Sequence, residues 1–448
     1  MALPLTSPTH PCTPGASRPI HDASIADDYF QGDLHVGIQD IESYKSGTSQ
    51  RITGPHEERT VTLESRLKRN KKDRQKKKKV QLATDSNFDI DLTDKDTNID
   101  WTALWIAVDP DFEWYRKVTI TQDTQMWIFA AKYERRITEQ LQAIWHLSTL
   151  TEEKVFKALA RVATHGKKDK KRLMFWRVRC EAFRALSKLV AHGKLLKLSL
   201  FVIHEFKEMF GVPKHPEVIG QNDFDNFEEY FIQRSMVGTI AAIREEVGDN
   251  GGQSPTKSYH FVKDLIEMND NSENLYDDNN YIGDLLKAFA TTVNIDTGDF
   301  STLEQLQQHH TRLREVLDTI ARVMNLDKLK PSFHQNITCS GLEAVLALMS
   351  EFVMPLQTTL FKEHSLYGHF EQVRDVALAS ITKLLVDGDM KDMAFLLEIA
   401  ENDHAPATRA RVLAHCAAAS PYTELKDGMD VAAIHAIMAR VWKLMKYG

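Results

Sequence analysis

The string with the most chemical promise is His204-Glu205-Phe206-Lys207-Glu208. It falls one residue short of H-E-x-x-H, in which two imidazoles one helical turn apart hold zinc and the Glu acts as general base. Here Glu208 stands where the second imidazole is needed, and the downstream third ligand falls on Phe227, with Glu228 one step out of register. Pro213 and Pro216 also interrupt the intervening chain, so the string reads as the polar end of a helix. His309 and His310 are adjacent, which on a helix turns their rings about 100° apart, and both are expected at the surface. Asp270-Asn271-Ser272-Glu273-Asn274 offers oxygens for a calcium loop, but the Gly at its sixth position is missing and Tyr281 occupies the place of the bidentate Glu. Neither a G-x-G-x-x-G nor a G-x-x-x-x-G-K-[ST] string is present, and no sequence-local Ser/His/Asp or Cys/His set stands out. No catalytic residue, metal ligand or cofactor site is assigned, and no small-molecule substrate is expected.

Charge is more informative. Arg66, Lys68, Arg69, Lys71, Lys72, Arg74, Lys76, Lys77, Lys78 and Lys79 form a block of local charge +9 once Asp73 is counted, leaving −16 for the rest of a chain whose formal net charge is −7. Such a block suits a nuclear-localisation signal or a loop that contacts phosphates without reading sequence, and a solvated linker is the plain alternative. No aromatic residue is interleaved, so base stacking is not indicated. Lys167, Lys168, Lys170, Lys171 and Arg172 form a second basic patch in a helix–helix loop, where it either extends a positive face or is simply solvated.

Composition removes several classes. Cys12, Cys180, Cys339 and Cys416 are far apart with no C-x-x-C pair, against a disulfide framework or structural zinc and in keeping with a reducing compartment. The longest apolar stretch, near Leu195 to Ile203, is broken by Lys197 and is well short of the ~20 residues a spanning helix needs, so no membrane partner is expected. The N-terminus carries Pro4, Pro8, Pro11, Pro14 and Pro19 and no apolar core, unlike a signal peptide.

These residues have to be positioned by elements that the pattern predicts. Residues 1–20 read as disordered or linker. Period-two alternation at Leu34, Val36 and Ile38, the β-prone run Thr60–Leu63, and Leu104–Val108 closed by Asp109-Pro110-Asp111 predict strands. Residues 64–100 read as a charged insertion between the second and third of them. Beyond Thr121 the period becomes helical: Ile137, Leu141, Ile144 and Trp145; Ala182, Leu186, Leu189 and Val190; Leu313, Val316, Leu317, Ile320, Val323 and Met324 each mark one apolar stripe. Breaks are expected at Gly211–Pro213, Gly248–Ser258 and Asn269–Asn280.

The helices repeat. Val178-Arg179, Ala182 and Leu186 match Val373-Arg374, Ala377 and Ile381 in the spacing V-R-x-x-A-x-x-x-(L/I), and Asn402–Pro406 followed by Arg409 and Leu413 continues the series. This is the second-helix grammar of HEAT repeats, whose hairpins stack because neither helix can bury both faces alone. Arg179, Arg374 and Arg409 are assigned the structural role of bridging to an acid or carbonyl of a neighbouring helix. The fold class is therefore mainly α: a HEAT/ARM-like α-solenoid preceded by a partial β-sandwich, with the sandwich at 21–120 and the helical domain at 121–448.

Several separate strings carry a family resemblance: Trp105–Val118, Met126-Trp127 with Lys132-Tyr133-Glu134-Arg135, Trp176-Arg177-Val178-Arg179, Asn222-Asp223-Phe224 with Tyr230-Phe231, Asp264-Leu265 to Asn269-Asp270-Asn271, Tyr367-Gly368-His369-Phe370 and Trp442–Met445. Together they resemble the TBP-associated factor two family, the aminopeptidase-like subunit of the general transcription factor TFIID. The resemblance covers roughly residues 30–448. It implies the end of the second β-sandwich and most of the helical domain of an M1-aminopeptidase-derived architecture, truncated at the C-terminus. It also implies a nuclear, non-catalytic scaffold whose partners are TBP-associated factors eight and ten, other TFIID subunits and promoter DNA in pre-initiation complex assembly. The competing readings are the C-terminal part of a working M1 zinc aminopeptidase and a HEAT-repeat adaptor of another kind.

Overall fold

The architecture comes from a computed structural model that describes residues 32–40, 47–52, 104–109, 113, 119–164, 174–191, 196, 200–245, 254–293, 303–385, 390–419 and 431–447. Residues 1–20, the Thr60–Leu63 run, the insertion 64–100 with its basic block, and the Lys167–Arg172 patch lie outside the described residues. The chain divides into two compact units, Met1–Leu186 and Ser187–Gly448.

In the first unit, β1 (Gly32–Asp40), β2 (Gly47–Ile52) and β3 (Leu104–Val108) form an antiparallel sheet in the order β2-β1-β3. Leu34 pairs with Gln50 and Ile38 with Ile106. The residue pattern does not predict β2: Gly-Thr-Ser-Gln-Arg-Ile has no apolar alternation, and main-chain pairing with β1 makes it a strand. Val36, Trp105 and Ile106 are buried, and Asp109, in the left-handed region at φ 45°, ends β3 as its turn residues predict.

Three helices follow, α1 (Thr124–Tyr133), α2 (Ile137–Leu147) and α3 (Glu153–Thr164), with α1 packed against β3, α2 and α3. On α2 the expected stripe is wrong by half. Ile144 is buried, but its buried neighbours are Gln140, Ala143 and Leu147, while Ile137 is exposed and Trp145 is 55% exposed. Trp145 has a polar handle: its indole N–H donates to Glu181 at 2.7 Å. The next helix, α4 (Trp176–Val190), buries Val178, Ala182, Leu186, Leu189 and Val190 as predicted, and the division between the units falls within it.

After the end of α4, the second unit contains α5 (Phe201–Phe210) and a small hairpin, β4 (Gly211–Val212) with β5 (His215–Ile219). Among the described residues ten further helices follow: α6 (Phe227–Ala241), α7 (Thr256–Glu267), α8 (Asn279–Thr291), α9 (Leu303–Leu329), α10 (Asn336–Ser350), α11 (Thr359–Ser365), α12 (Glu371–Leu384), α13 (Met390–Asn402), α14 (Pro406–Ala419) and α15 (Val431–Tyr447). They form the repeated helical hairpins of an α-solenoid. α6, α8, α10, α12 and α14 pack successively side by side, and α7, α9, α11 and α13 each join as the partner helix of a neighbouring hairpin. α8 and α10 approach so closely that a Cβ on Gly283 would stand 2.5 Å from the Ser340 hydroxyl, which is why glycine serves there. On α9 Val316, Ile320 and Met324 are buried on the predicted face; His309, expected at the surface, is buried, while His310 is exposed. On α14 the buried positions are Thr408 and Val412, and Leu413, one residue on, is exposed.

Candidate docking edge

Three arrangements bear on function. The first is a pair of carboxyls beneath the sheet. Glu134 is buried at the end of α1; its side chain accepts the Trp105 indole N–H at 2.7 Å and the amide of Arg135 at 2.7 Å. Glu139 lies beside it, and burial, then its hydrogen bond to Glu134, push its carboxyl up to about 8. A raised carboxyl can serve as a general acid, but the cavity it borders, lined also by Trp105 and Trp127, has a volume of about 30 Å³. That is room for a water rather than a substrate. The pair works as a lock that ties β3 to the first helices.

The second arrangement is a set of arginines capping helix ends. Arg179 Nε donates to the Ala163 carbonyl at 3.0 Å, in the last turn of α3. Arg374 Nε donates to the Ser365 carbonyl at 2.9 Å, the last residue of α11, and its guanidinium also pairs with Asp403, both side chains being buried. The last carbonyls of a helix have no partner within the helix, and a guanidinium there satisfies them and suits the negative end of the dipole. Burial pushes the Asp403 carboxyl up, but its bonds to Arg374 and to the Ala405 amide outweigh this and hold it below the usual carboxylate range. Arg409 is half-buried on α14; the segment it belongs to supplies Asp403 to the preceding repeat. Sequence reasoning missed Arg244, which bonds the carbonyls of Ala241 (2.8 Å), Ile243 (2.9 Å) and Thr291 (2.7 Å) and so caps α6 and α8 together. It lies outside any V-R-x-x-A string, so spacing could not find it.

The third arrangement was also missed. Alternate interhelical connections of the second unit meet along one edge. Asn274, between α7 and α8, donates to the Asn222 carbonyl before α6 at 3.0 Å. Asn336, at the start of α10, donates to Asn280 at the start of α8 at 2.7 Å. His334 stacks on Phe370, between α11 and α12, with centroids 5.2 Å apart, and Tyr367 meets His404, between α13 and α14, at 5.5 Å. His334 and Gln335 both hold left-handed backbone (φ 55° and 50°), and buried Asp327 ties this turn by accepting the amides of Ser332 at 2.7 Å and Thr338 at 3.1 Å. Buried Asp278 gathers the first part of the edge, accepting Asn269 at 2.6 Å and, more weakly, Asn222 at 3.5 Å. Burial pushes its carboxyl up. The would-be calcium string is thus an amide network closed on itself, with Asn271 donating to the Tyr276 carbonyl.

Of the sequence-derived candidates, His204 is half-buried and Glu208 exposed on α5. Among the described residues no group of three or more His, Cys, Asp or Glu side chains could hold a metal ion, and no helix is long and apolar enough to cross a membrane.

Comparison with known proteins divides the chain earlier, between the strands and the first helix. Residues 124–448 match the family described as "TAF2-like, TPR repeats", and residues 11–123 match "TAF2 Ig-like domain". The chain belongs to the TAF2-like family. Curated relatives named "Transcription initiation factor TFIID subunit 2" include those of Gallus gallus, 30% identical over 96% of this chain, Danio rerio, 29% over 96%, and Drosophila melanogaster, 29% over 85%. The chain spans about a third of their length: 36%, 35% and 30% respectively. The TAF2-like description names TPR repeats where the Arg spacing suggests HEAT repeats; both are stacked antiparallel helix pairs. In this TAF2-like chain several of the resemblance strings are paired or aligned in space. Trp105 meets Glu134 of the Lys132–Arg135 string, and the Asn222, Asn269 and Tyr367 strings all stand on the one edge.

Proposed function

We propose that this chain is a non-catalytic scaffold segment of TFIID, acting in the nucleus. Through the helical edge it holds other TBP-associated factors, eight and ten among them, and it supports core-promoter recognition as the RNA polymerase II pre-initiation complex assembles. The observation that carries the reading is the placement of three separate family-resembling strings along one edge of a TAF2-like helical unit. Stacked hairpins give such an edge length, which suits an extended partner chain whose ordering entropy a long contact must offset. The basic block Arg66–Lys79 adds a second contact, to duplex phosphates, by counterion release rather than base reading.

The test is reconstitution: the chain is mixed with purified TBP-associated factors and the complex is separated by size exclusion. Co-elution with factor eight or ten is expected, and failure of all TFIID subunits to bind overturns the scaffold reading. For the block, Ala at Lys76, Lys77, Lys78 and Lys79 should weaken duplex binding equally for all sequences and lower the salt slope by up to about 0.9 for each phosphate no longer neutralised. An unchanged slope leaves import or solvation as the role of the block.

A further inference from the structure

The two ends of the docking edge differ in chemistry, and the end nearest α6 is specific enough to name the kind of chain it receives; this inference rests on the scaffold reading. Phe224 stands at its centre, with ring centroids 5.1 Å from Tyr230, 6.0 Å from Tyr276 and 6.5 Å from Phe227, and Phe227 is 6.4 Å from Phe231. Much of this aromatic surface faces water. Phe227 is 56% exposed, Tyr276 65% and the adjoining Leu275 96%. An apolar cluster left open in this way marks an interaction surface more often than a neutral one.

The rim around it is acidic. Asp223, Asp225 and Glu228 flank the rings from one segment, and Asp270, Glu273 and Asp277 from the other, all exposed. No Lys, Arg or His occurs anywhere in residues 220–233 or 264–286. The protein's own Arg234 shows how this surface receives a cation. Its guanidinium lies 5.7 Å from the Tyr230 ring centroid and 6.0 Å from that of Phe231, while its Nε stands 2.6 Å from the Asp284 carboxylate. Ring faces and carboxylates together hold a guanidinium better than either alone, and the outer part of the cluster offers the same combination to solvent.

We infer that this end of the edge docks an extended basic segment of a partner polypeptide, one in which Lys or Arg alternates with bulky apolar side chains. The rings take the apolar side chains and the flat faces of the cations, and the surrounding carboxylates attract and orient the segment at longer range. A second copy of this chain presenting the same acidic surface would be repelled, as would a nucleic acid.

The experiment uses the full 448-residue chain and fluorescence anisotropy with labelled synthetic peptides of about 12 residues, long enough to cross two loops. Alternating Lys-Leu should bind with an affinity that falls as salt rises; Glu-Leu and Lys-Ser should bind at least about tenfold more weakly. Asp223→Lys with Asp277→Lys should weaken Lys-Leu binding by about tenfold or more, and Phe227→Ala with Tyr276→Ala by a similar factor. These side chains are exposed, so the thermal midpoint should not move, and circular dichroism checks that it does not. Equal binding of the acidic peptide, or affinities unchanged in both double variants, overturns the assignment. So does a light-scattering mass showing a dimer that the same variants dissolve. The variants are also run through the TFIID-subunit reconstitution. If wild type fails to associate there, the scaffold reading falls; if wild type and variants associate equally, only the placement of the basic segment falls.

Discussion

Charge is buried in both units, but two sites handle it differently. In the helical unit each buried guanidinium comes with its complement: Arg374 with Asp403 and the Ser365 carbonyl, Arg244 with three carbonyls from two helix ends. Beneath the sheet of the first unit, Glu139 is half-buried beside another carboxyl, Glu134, and its ion pair with Arg136 at 3.5 Å does not outweigh burial and that neighbour, which together favour its neutral form. The difference teaches where each region is vulnerable. The helical unit depends on keeping both members of a pair, whereas the sheet region depends on keeping one group neutral.

The largest test of the contrast is Arg374→Ala. It strands a buried carboxylate and an uncapped helix end, and should lower unfolding stability by about 3–5 kcal/mol. Arg374→Lys should recover little, since one ammonium cannot reach both partners in the same fork. Thermal and urea unfolding read both. Arg244→Ala comes next, with an expected loss of about 2–4 kcal/mol from three carbonyls left without their donor. A loss no larger than that of a surface residue would mean that water replaces the guanidinium.

Glu139→Gln should act in the other direction. The folded carboxyl is raised to about 8 from an ordinary 4.5, so its neutral form favours folding; that contribution is complete below pH 4.5 and is lost as pH rises to about 8. Gln stays neutral throughout, so at pH 9 the variant should be more stable than wild type by about 1–2 kcal/mol and its stability should vary less between pH 5 and 9. Asp403 has the opposite sign: held below its ordinary 3.8, it stabilises the fold above that pH and ceases to do so under stronger acid. If Glu139→Gln leaves the alkaline limb of the stability profile unchanged, the carboxyl pair is not what sets it. The smallest effect belongs to Trp145→Ala, expected within about 0.5 kcal/mol despite the size of the side chain, because it removes an exposed hydrogen bond to Glu181.

How far the sequence disclosed this depends on whether a contact is local. V-R-x-x-A places Val373, Arg374 and Ala377 on one face within two turns, and all three are buried. α9 was readable for the same reason. α2 was not, because periodicity counts Trp145 as apolar whereas its indole N–H allows it to sit in water against Glu181. β2 is made a strand by its neighbour and carries no pattern of its own. The docking edge was invisible as an object: Asn222 and Asn274 are 52 residues apart and meet only after two helices have folded back. Its parts were nevertheless visible as strings, since Asn222-Asp223-Phe224 and Tyr367–Phe370 stood out without any reason for being together.

The nearest-neighbour contacts of that edge have a consequence for avidity. Neighbouring helices pack ~8–10 Å apart, so the acidic loops around Tyr276 and the aromatic turn around Phe370, two packing steps away, are separated by roughly 20 Å. About six residues of extended chain cover that distance. A single strand touching both places would make its second contact at an effective concentration in the millimolar range, so two individually weak attachments could add up to a durable one.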